Sequence, residues 1–135
     1  MKQRVLILCT GNPSRSQMAE GLLRHDAGDR FDVFSAGVRP NAFLPQMPAV
    51  MSELGIDMSH HRPKHVNEFA GQSFDYVLTV CDHARETCPV FSGSTRMIHH
   101  SFVDPGSFPE QERLARFREV RDQIREYLRA FPPEP

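Results

Sequence analysis

The sequence lacks several features that would assign it to a class at once. No apolar run approaches the roughly 18 residues that a membrane-spanning helix needs. The net charge of −1, with histidine neutral, gives no general attraction to nucleic acid or to a membrane surface. The apolar stretch after the basic start covers only Val5 to Leu8, which is too short for the core of a signal peptide. We therefore expect a cytoplasmic protein.

Cysteine is also scarce. The chain of 135 residues has three, Cys9, Cys81 and Cys88. An odd number without an export signal argues against a framework of structural disulfides, so the thiols are candidates for catalysis, metal binding or core filling. Linkers, internal repeats and low-complexity segments are missing as well, and the length suits one hydrophobic core. We expect residues 1–135 to form a single domain.

Hydrophobic patterning predicts strands that alternate with helices. The predicted strands are 4–8, 31–35, 74–80 and 96–99, and the predicted helices are 16–25, 45–54 and 110–131, with a polar loop at 57–67. This order is typical of an α/β fold with a central four-stranded parallel sheet flanked by helices in three layers. Ligands of such sheets bind beyond the carboxyl ends of the strands.

The last helix is predicted in most detail. Ser107 and Glu110 have the spacing of a capping box at its start. Apolar residues recur at steps of three and four and form one stripe: Leu114, Phe117, Val120, Ile124, Leu128 and Phe131.

The loop between the first strand and the first helix carries the clearest chemistry. In this arrangement the loop amides and the positive end of the helix converge on a bound anion. We predict that the oxyanion-binding residues are Thr10, Gly11, Asn12, Pro13, Ser14, Arg15 and Ser16.

Cys9, at the start of this loop, is the candidate nucleophile. We expect its pKa to be lowered by the loop amides, the helix dipole and a hydrogen bond from Ser16. The planar guanidinium of Arg15 can donate hydrogen bonds to two oxygens of a tetrahedral anion. The alternative is a structural cysteine at the end of a buried strand.

The other two thiols stand seven positions apart, at Cys81 and Cys88. On a helix this spacing separates them by about 10 Å, whereas a disulfide needs Cα atoms within roughly 7 Å. The pair could therefore close only if the segment unwound, which suggests a redox-switched element. One alternative is a metal site that includes His83. The other is that Cys81 and Cys88 are two unrelated buried thiols. Cys81 follows a predicted strand as Cys9 does, so both thiols open on one edge if those strands are neighbours.

Asp104 and the histidines complete the candidates. Asp104 could act as a general acid to a leaving oxygen, or it could be a simple turn residue before Pro105 and Gly106. The seven histidines have no thiol or carboxylate spacing that supports a zinc or copper site, and we expect them to be surface or core residues. No metal and no cofactor is predicted.

The sequence resembles the thioredoxin-coupled arsenate reductases, which share the fold of the low-molecular-weight tyrosine phosphatases. The resemblance covers nearly the whole chain. Its markers are Cys-Thr-Gly-Asn-x-x-Arg-Ser-Gln-Met-Ala-Glu-Gly at 9–21, Ser-Ala-Gly at 35–37, Gly-Ile-Asp at 55–57, Val-Cys…Cys-Pro at 80–89 and Asp-Pro at 104–105.

The resemblance implies arsenic detoxification by a relay of three thiols. Cys9 attacks arsenate and Asp104 protonates the departing oxygen. Cys81 then attacks the sulfur of Cys9 and releases arsenite, and Cys88 attacks Cys81 to leave a disulfide that thioredoxin reduces. Phosphate and sulfate are expected to mimic arsenate. We expect a monomer that binds neither nucleic acid nor membrane.

The sequence departs from some relatives of this family at two positions. Ser14 stands where some carry a further cysteine outside the relay, so activity should survive. Some also bind potassium through residues matching Asn12, Glu20, Ser35 and an acid near position 64. Here Lys64 occupies that position, and its ammonium could replace the cation and pair with Glu20. We predict weak or no dependence on potassium.

Two other functions use the same residues. A low-molecular-weight tyrosine phosphatase would need Cys9, Arg15 and Asp104 but would leave Cys81 and Cys88 idle, and no aromatic wall follows Asp104. Residual phosphatase activity is nevertheless expected, because the first step is chemically alike. The third possibility is a non-enzymatic redox sensor that binds an oxyanion and passes a disulfide to a partner.

Overall fold

The structure is a computed structural model that describes residues 2–10, 14–39, 42–81 and 95–134. Strands and helices alternate along these residues. In chain order they are β1 (Gln3–Cys9), α1 (Ser14–Ala27), β2 (Phe31–Gly37), α2 (Gln46–Ser52), β3 (Tyr76–Thr79), β4 (Arg96–His99) and α3 (Glu110–Leu128). Two short 3-10 helices, Val66–Phe69 and Pro105–Ser107, lie between them.

The four strands form one parallel sheet in the order β2-β1-β3-β4. This confirms the predicted α/β fold. The residues of β1 from Val5 to Cys9 have no solvent exposure, because β1 lies in the middle of the sheet and helices cover it. Its unbroken aliphatic sequence is the pattern of a strand buried on both faces. Because β1 and β3 are neighbours, their carboxyl ends meet at one edge.

The helices pack on one another as well as on the sheet. α1 contacts both α2 and α3, and α2 also contacts α3. At Gly21 of α1 an added Cβ atom would lie 3.0 Å from Cε of Met51 and 3.1 Å from Sδ of Met58. The missing side chain therefore lets α1 approach α2 closely, with two flexible methionines filling the space around it.

Some predicted boundaries and one predicted cap are wrong. α3 ends at Leu128 rather than at 131. The predicted capping box does not form: Pro109 is the N-cap, and the hydroxyl of Ser107 donates to the carbonyl of Asp104 instead. Leu114, predicted in the buried stripe, is 45% exposed, because the first turns of α3 extend beyond the packed core. The later members of the stripe are buried as predicted.

The predicted loop at 57–67 has more structure than its polar sequence suggested. The 3-10 helix Val66–Phe69 begins inside it, and His65 caps this helix by accepting a hydrogen bond from the backbone N–H of Asn67 at 3.0 Å. Val66 and Phe69 then turn inward and are buried. No helix in the described residues has the length and apolar character required to span a membrane.

Candidate functional site

Cys9 and Cys81 lie side by side at the carboxyl edge of the sheet. Cys9 ends β1, and the chain after β3 continues along it, since the backbone N–H of Val80 donates to the carbonyl of Leu8 at 2.9 Å. The side chain of Cys81 lies close enough to Cys9 to raise its pKa, and the two residues are 0% and 5% exposed. The expectation that both thiols open on the same edge is confirmed.

The protonation of Cys9 differs from the prediction. Its pKa lies well above the ordinary value, chiefly because of the hydrogen bond with Cys81 and because burial disfavours the thiolate. Arg15 and the backbone of Thr10 act in the opposite direction but do not prevail. The expected lowering was wrong here because the sequence does not show that a second thiol lies against the first. In this arrangement Cys9 holds its proton.

Thr10 connects the start of the loop to the second thiol. Its hydroxyl forms a close hydrogen-bond contact with the sulfur of Cys81. The backbone of Thr10 is held on its other side, since its carbonyl accepts from the N–H of Arg39 at 3.1 Å. Thr10 was predicted to bind the oxyanion. In the structure its hydroxyl contacts the Cys81 sulfur, and oxyanion binding by Thr10 stays a prediction.

Arg15 lies in the first turn of α1 and is only 9% exposed. Its Nη1 donates to the carbonyl of Phe102 at 2.9 Å. Its Nε has no hydrogen-bond partner, and Arg15 forms no ion pair within the described part of the chain. A buried guanidinium without a carboxylate is costly unless an anion meets it, so Arg15 can bind an oxyanion.

Asp104 reaches the same edge from the other side of the sheet. The backbone N–H of Phe102 donates to the carbonyl of Val80 at 3.0 Å, which brings the segment before Asp104 alongside the thiols. Asp104 is indeed a turn residue, because its Oδ1 accepts from the N–H of Gly106 at 2.9 Å. Its Oδ2 has no partner in the described residues, so the turn role leaves one carboxyl oxygen available for proton transfer.

The remaining predicted residues divide into two groups. Ser14 and Ser16 are fully buried in the first turn of α1, which begins two residues earlier than predicted. Outside the described residues lie Gly11, Asn12, Pro13, His83 and Cys88. Within the described residues no group of three or more His, Cys, Asp or Glu side chains is placed to hold a metal ion.

A buried cluster of charges lies behind the loop. Glu20 of α1 is 4% exposed and accepts a hydrogen bond from the hydroxyl of Ser35. Its carboxylate lies 2.8 Å from the guanidinium of Arg24 and 3.8 Å from Nζ of Lys64. The predicted pairing of Lys64 with Glu20 is confirmed. Burial lowers the pKa of Lys64, although Glu20 acts against this lowering.

Sequence reasoning missed His61 and Gln17, which join this cluster to α1. Nδ1 of His61 lies 2.8 Å from Oε1 of Gln17, and Nε2 of Gln17 donates to the carbonyl of Arg62 at 2.9 Å. His61 also lies 3.7 Å from Glu20, while burial lowers its pKa. His61 was predicted only as one of several surface or core histidines. A polar residue two positions after the loop arginine, at Gln17, was the available signal.

Comparison with known proteins identifies the family. The low molecular weight phosphotyrosine protein phosphatase family matches residues 4–134. The chain belongs to this family. It is 37% identical over 132 residues to an arsenate reductase of Halalkalibacterium halodurans, covering 96% of this chain and 95% of that protein.

Solved structures of two kinds resemble the fold. An arsenate reductase in the phosphate binding state has a TM-score of 0.75 at 28% identity, with 96% of this chain and 95% of the other covered. A thioredoxin-dependent arsenate reductase of Corynebacterium glutamicum has a TM-score of 0.72 at 28% identity, with 96% and 61% covered. A low molecular weight protein tyrosine phosphatase of T. tengcongensis has a TM-score of 0.76 at 26% identity, with 95% and 96% covered.

Proposed function

We propose that this protein reduces arsenate to arsenite through a relay of Cys9, Cys81 and Cys88. The observation that carries the proposal is the position of Cys81 against Cys9: β1 and β3 are neighbours, the N–H of Val80 donates to the carbonyl of Leu8, and the Cys81 sulfur contacts the hydroxyl of Thr10. Hydrolysis of a phosphate ester needs one nucleophilic thiol, whereas reduction needs a second thiol within reach of the first. The relatives named arsenate reductase support the same choice.

In the first step the sulfur of Cys9 forms a bond to arsenic, and one arsenic–oxygen bond breaks. The departing hydroxyl group takes a proton from Asp104 and leaves as water. Because Cys9 starts as a thiol, its proton passes to an oxygen of the arsenate dianion. Arg15 holds the remaining oxygens, and the loop amides support them. The product is a thioester-like adduct of Cys9 with arsenic still in the oxidised state.

In the second step Cys81 attacks the sulfur of Cys9. The sulfur–sulfur bond forms while the sulfur–arsenic bond breaks, and its electron pair stays on arsenic. Arsenic is thereby reduced from As(V) to As(III), and arsenite leaves after taking up a proton. Thr10 serves this step, because its hydroxyl contact holds the Cys81 sulfur next to Cys9. The two cysteines are oxidised to a disulfide.

In the third step Cys88 attacks Cys81, releases the Cys9 thiolate and leaves a Cys81–Cys88 disulfide. A dithiol protein of the thioredoxin class then supplies two electrons and restores both thiols. The thioredoxin-dependent relative from Corynebacterium glutamicum supports this partner. We place the reaction in the cytoplasm, where such reductants keep thiols reduced. We assign it to one domain of a monomer, with no cofactor.

A phosphatase activity is the second candidate. The family match and the phosphatase structure from T. tengcongensis favour it, and the first chemical step would use the same Cys9, Arg15 and Asp104. The pairing of Cys81 with Cys9 has no use in that reaction. We therefore expect phosphatase activity to be a weak side reaction.

The deciding experiment measures arsenate-dependent NADPH oxidation with thioredoxin and thioredoxin reductase. Wild type should turn over repeatedly. The Cys88→Ser variant should release at most about one equivalent of arsenite, because it can complete only the first two steps of the relay. The Cys9→Ser variant should release none.

A second assay separates the two candidates. Hydrolysis of an aryl phosphate is measured in wild type and in Cys88→Ser as the matched control. Inactivity of wild type toward arsenate, together with brisk hydrolysis that survives Cys88→Ser, would assign the protein to the phosphatases. Release of arsenite without repeated turnover in the presence of thioredoxin would instead favour the redox sensor.

A further inference from the structure

Arg39 stands at the rim of the oxyanion loop without a role in the relay. It follows β2, and the parallel ladder between β2 and β1 continues past both strands. The N–H of Val38 donates to the carbonyl of Cys9 at 3.2 Å, and the N–H of Arg39 donates to that of Thr10 at 3.1 Å. The backbone of Arg39 is therefore directly beside the first residue after the nucleophile.

The charge of Arg39 is not neutralised within the described residues. Its side chain is exposed, and it has no ion pair there. Two other exposed arginines are engaged: Arg62 pairs with Glu68 at 2.7 Å, and Arg24 pairs with Glu20 at 2.8 Å. Arg39 thus contributes a full positive charge to the field at the mouth of the site.

The positive charge of Arg39 can offset negative charge that the proposed reaction brings to the site. An arsenate dianion brings two negative charges to the site, and two negative charges remain after the proton of Cys9 has passed to it, whereas Arg15 supplies one positive charge. The carboxyl group of Asp104 is neutral when it is ready to donate a proton. A second guanidinium at the rim reduces the remaining repulsion and raises the local concentration of dianions.

We infer that Arg39 is a recruiting residue for divalent tetrahedral oxyanions, which it attracts and retains at the loop without touching the reacting bonds. This inference rests on the proposed function for its substrate, arsenate, but phosphate binding tests it independently. A unit charge at roughly 10 Å from a dianion in water changes its binding about threefold to fourfold. Removal of this charge should change KM and kcat/KM but not kcat, because the charge acts before the chemical steps.

The test compares Arg39→Gln with Arg30→Gln. Arg30 is also exposed but precedes β2, so it lies roughly 30 Å from Arg39 at the opposite edge of the sheet, given the usual rise along a strand. Both variants change the net charge equally. At low ionic strength Arg39→Gln should lower kcat/KM for arsenate about threefold to fourfold, with kcat within about twofold of wild type. Arg30→Gln should match wild type.

Three further measurements sharpen the test. In about 0.5 M sodium chloride the difference between wild type and Arg39→Gln should largely vanish, because salt screens charges at this distance. Arg39→Lys should keep most of the kcat/KM. Calorimetric titration with inorganic phosphate should show the same loss of affinity in Arg39→Gln.

The inference is overturned if Arg39→Gln and Arg30→Gln have equal kcat/KM and equal phosphate affinity at low salt. It is also overturned if Arg39→Gln lowers kcat while KM stays unchanged, because Arg39 would then act in the chemistry. If wild type proves inactive on arsenate but phosphate binding weakens only in Arg39→Gln, the proposed function fails and the recruiting role stands.

Discussion

Arg15 and Arg121 are both buried guanidinium groups, exposed by only 9% and 6%, yet their surroundings differ. Nη1 of Arg121 donates to the carbonyl of Val50 at 2.9 Å and to Glu53 at 2.7 Å. Its Nε donates to Asp122 at 2.8 Å. Arg15 has one carbonyl partner, an unpartnered Nε and no carboxylate within the described residues.

This difference separates a structural arginine from one that is available to a ligand. Arg121 joins α3 to α2, and its partner Glu53 is held so firmly by Arg118 and Arg121 that its pKa falls to about 2. The charge of Arg121 is already compensated. Among the described residues no carboxylate compensates the charge of Arg15, and its Nε has no hydrogen-bond partner, so a tetrahedral anion can satisfy both. Burial alone would not distinguish the two residues, whereas their hydrogen-bond and ion-pair partners do.

Arg15→Gln should have the largest effect. Loss of the guanidinium that holds the oxyanion should lower kcat/KM for arsenate by about a thousandfold or more. This is within the range that loss of one preorganised charge contact produces. The free energy of unfolding should change little, because loss of the donor to the carbonyl of Phe102 is offset by removal of a buried charge that no carboxylate in the described residues compensates. In wild type, phosphate should raise the melting temperature by preferential binding to the folded state, and in Arg15→Gln this shift should disappear. An unchanged phosphate shift in the variant would contradict the assignment.

Arg121→Gln should show the reverse pattern. We expect the free energy of unfolding to fall by about 2 kcal/mol at pH 7, because the buried carbonyl of Val50 loses a charged donor. Activity per folded molecule should remain. The pKa of Glu53 is lower in the folded than in the unfolded protein, so the contribution of this ion pair is complete above about pH 4.5 and is lost as the pH falls toward 2. Denaturant titrations at pH 7 and pH 3 measure both effects, and the deficit of the variant should be smaller at pH 3.

Potassium should have the smallest effect. Lys64 and Glu20 resemble Arg121 and Glu53 rather than Arg15, since their charges already compensate each other behind the loop. A free cation therefore has little to add. Steady-state rates in potassium and in sodium chloride at equal ionic strength should agree within experimental error. A clear rise in activity with potassium would show that Lys64 does not replace the cation.

Much of the architecture could be predicted because local patterns dictate it. The unbroken aliphatic run of β1 marks a central strand, and the alternation of strands with helices indicates a parallel sheet. The residues at which the helices end were harder to predict. α3 ends at Leu128 although apolar spacing continues to Phe131, because periodicity records which residues turn inward and not where the backbone leaves the helix.

The candidate site shows the same division. The loop from Cys9 to Ser16 could be read directly, since strand, loop and helix are contiguous. Contacts between distant segments could not. The carbonyl of Phe102 beside Arg15 leaves no signal in local spacing, and the polar Gln17 does not by itself indicate His61 as its partner, because each contact depends on how a distant loop packs against α1.

The sequence by itself determined the order of strands and helices, the oxyanion loop with its thiol and its guanidinium, and the number of thiols available for a relay. These features depend on residues close together along the chain. Only the tertiary structure decided that Cys81 lies against Cys9 and raises its pKa, that Arg15 meets no carboxylate among the described residues while Arg121 meets two, and that Arg39 stands beside Thr10. Each of these depends on contacts between segments far apart in sequence, and burial and charge compensation arise only when those segments come together.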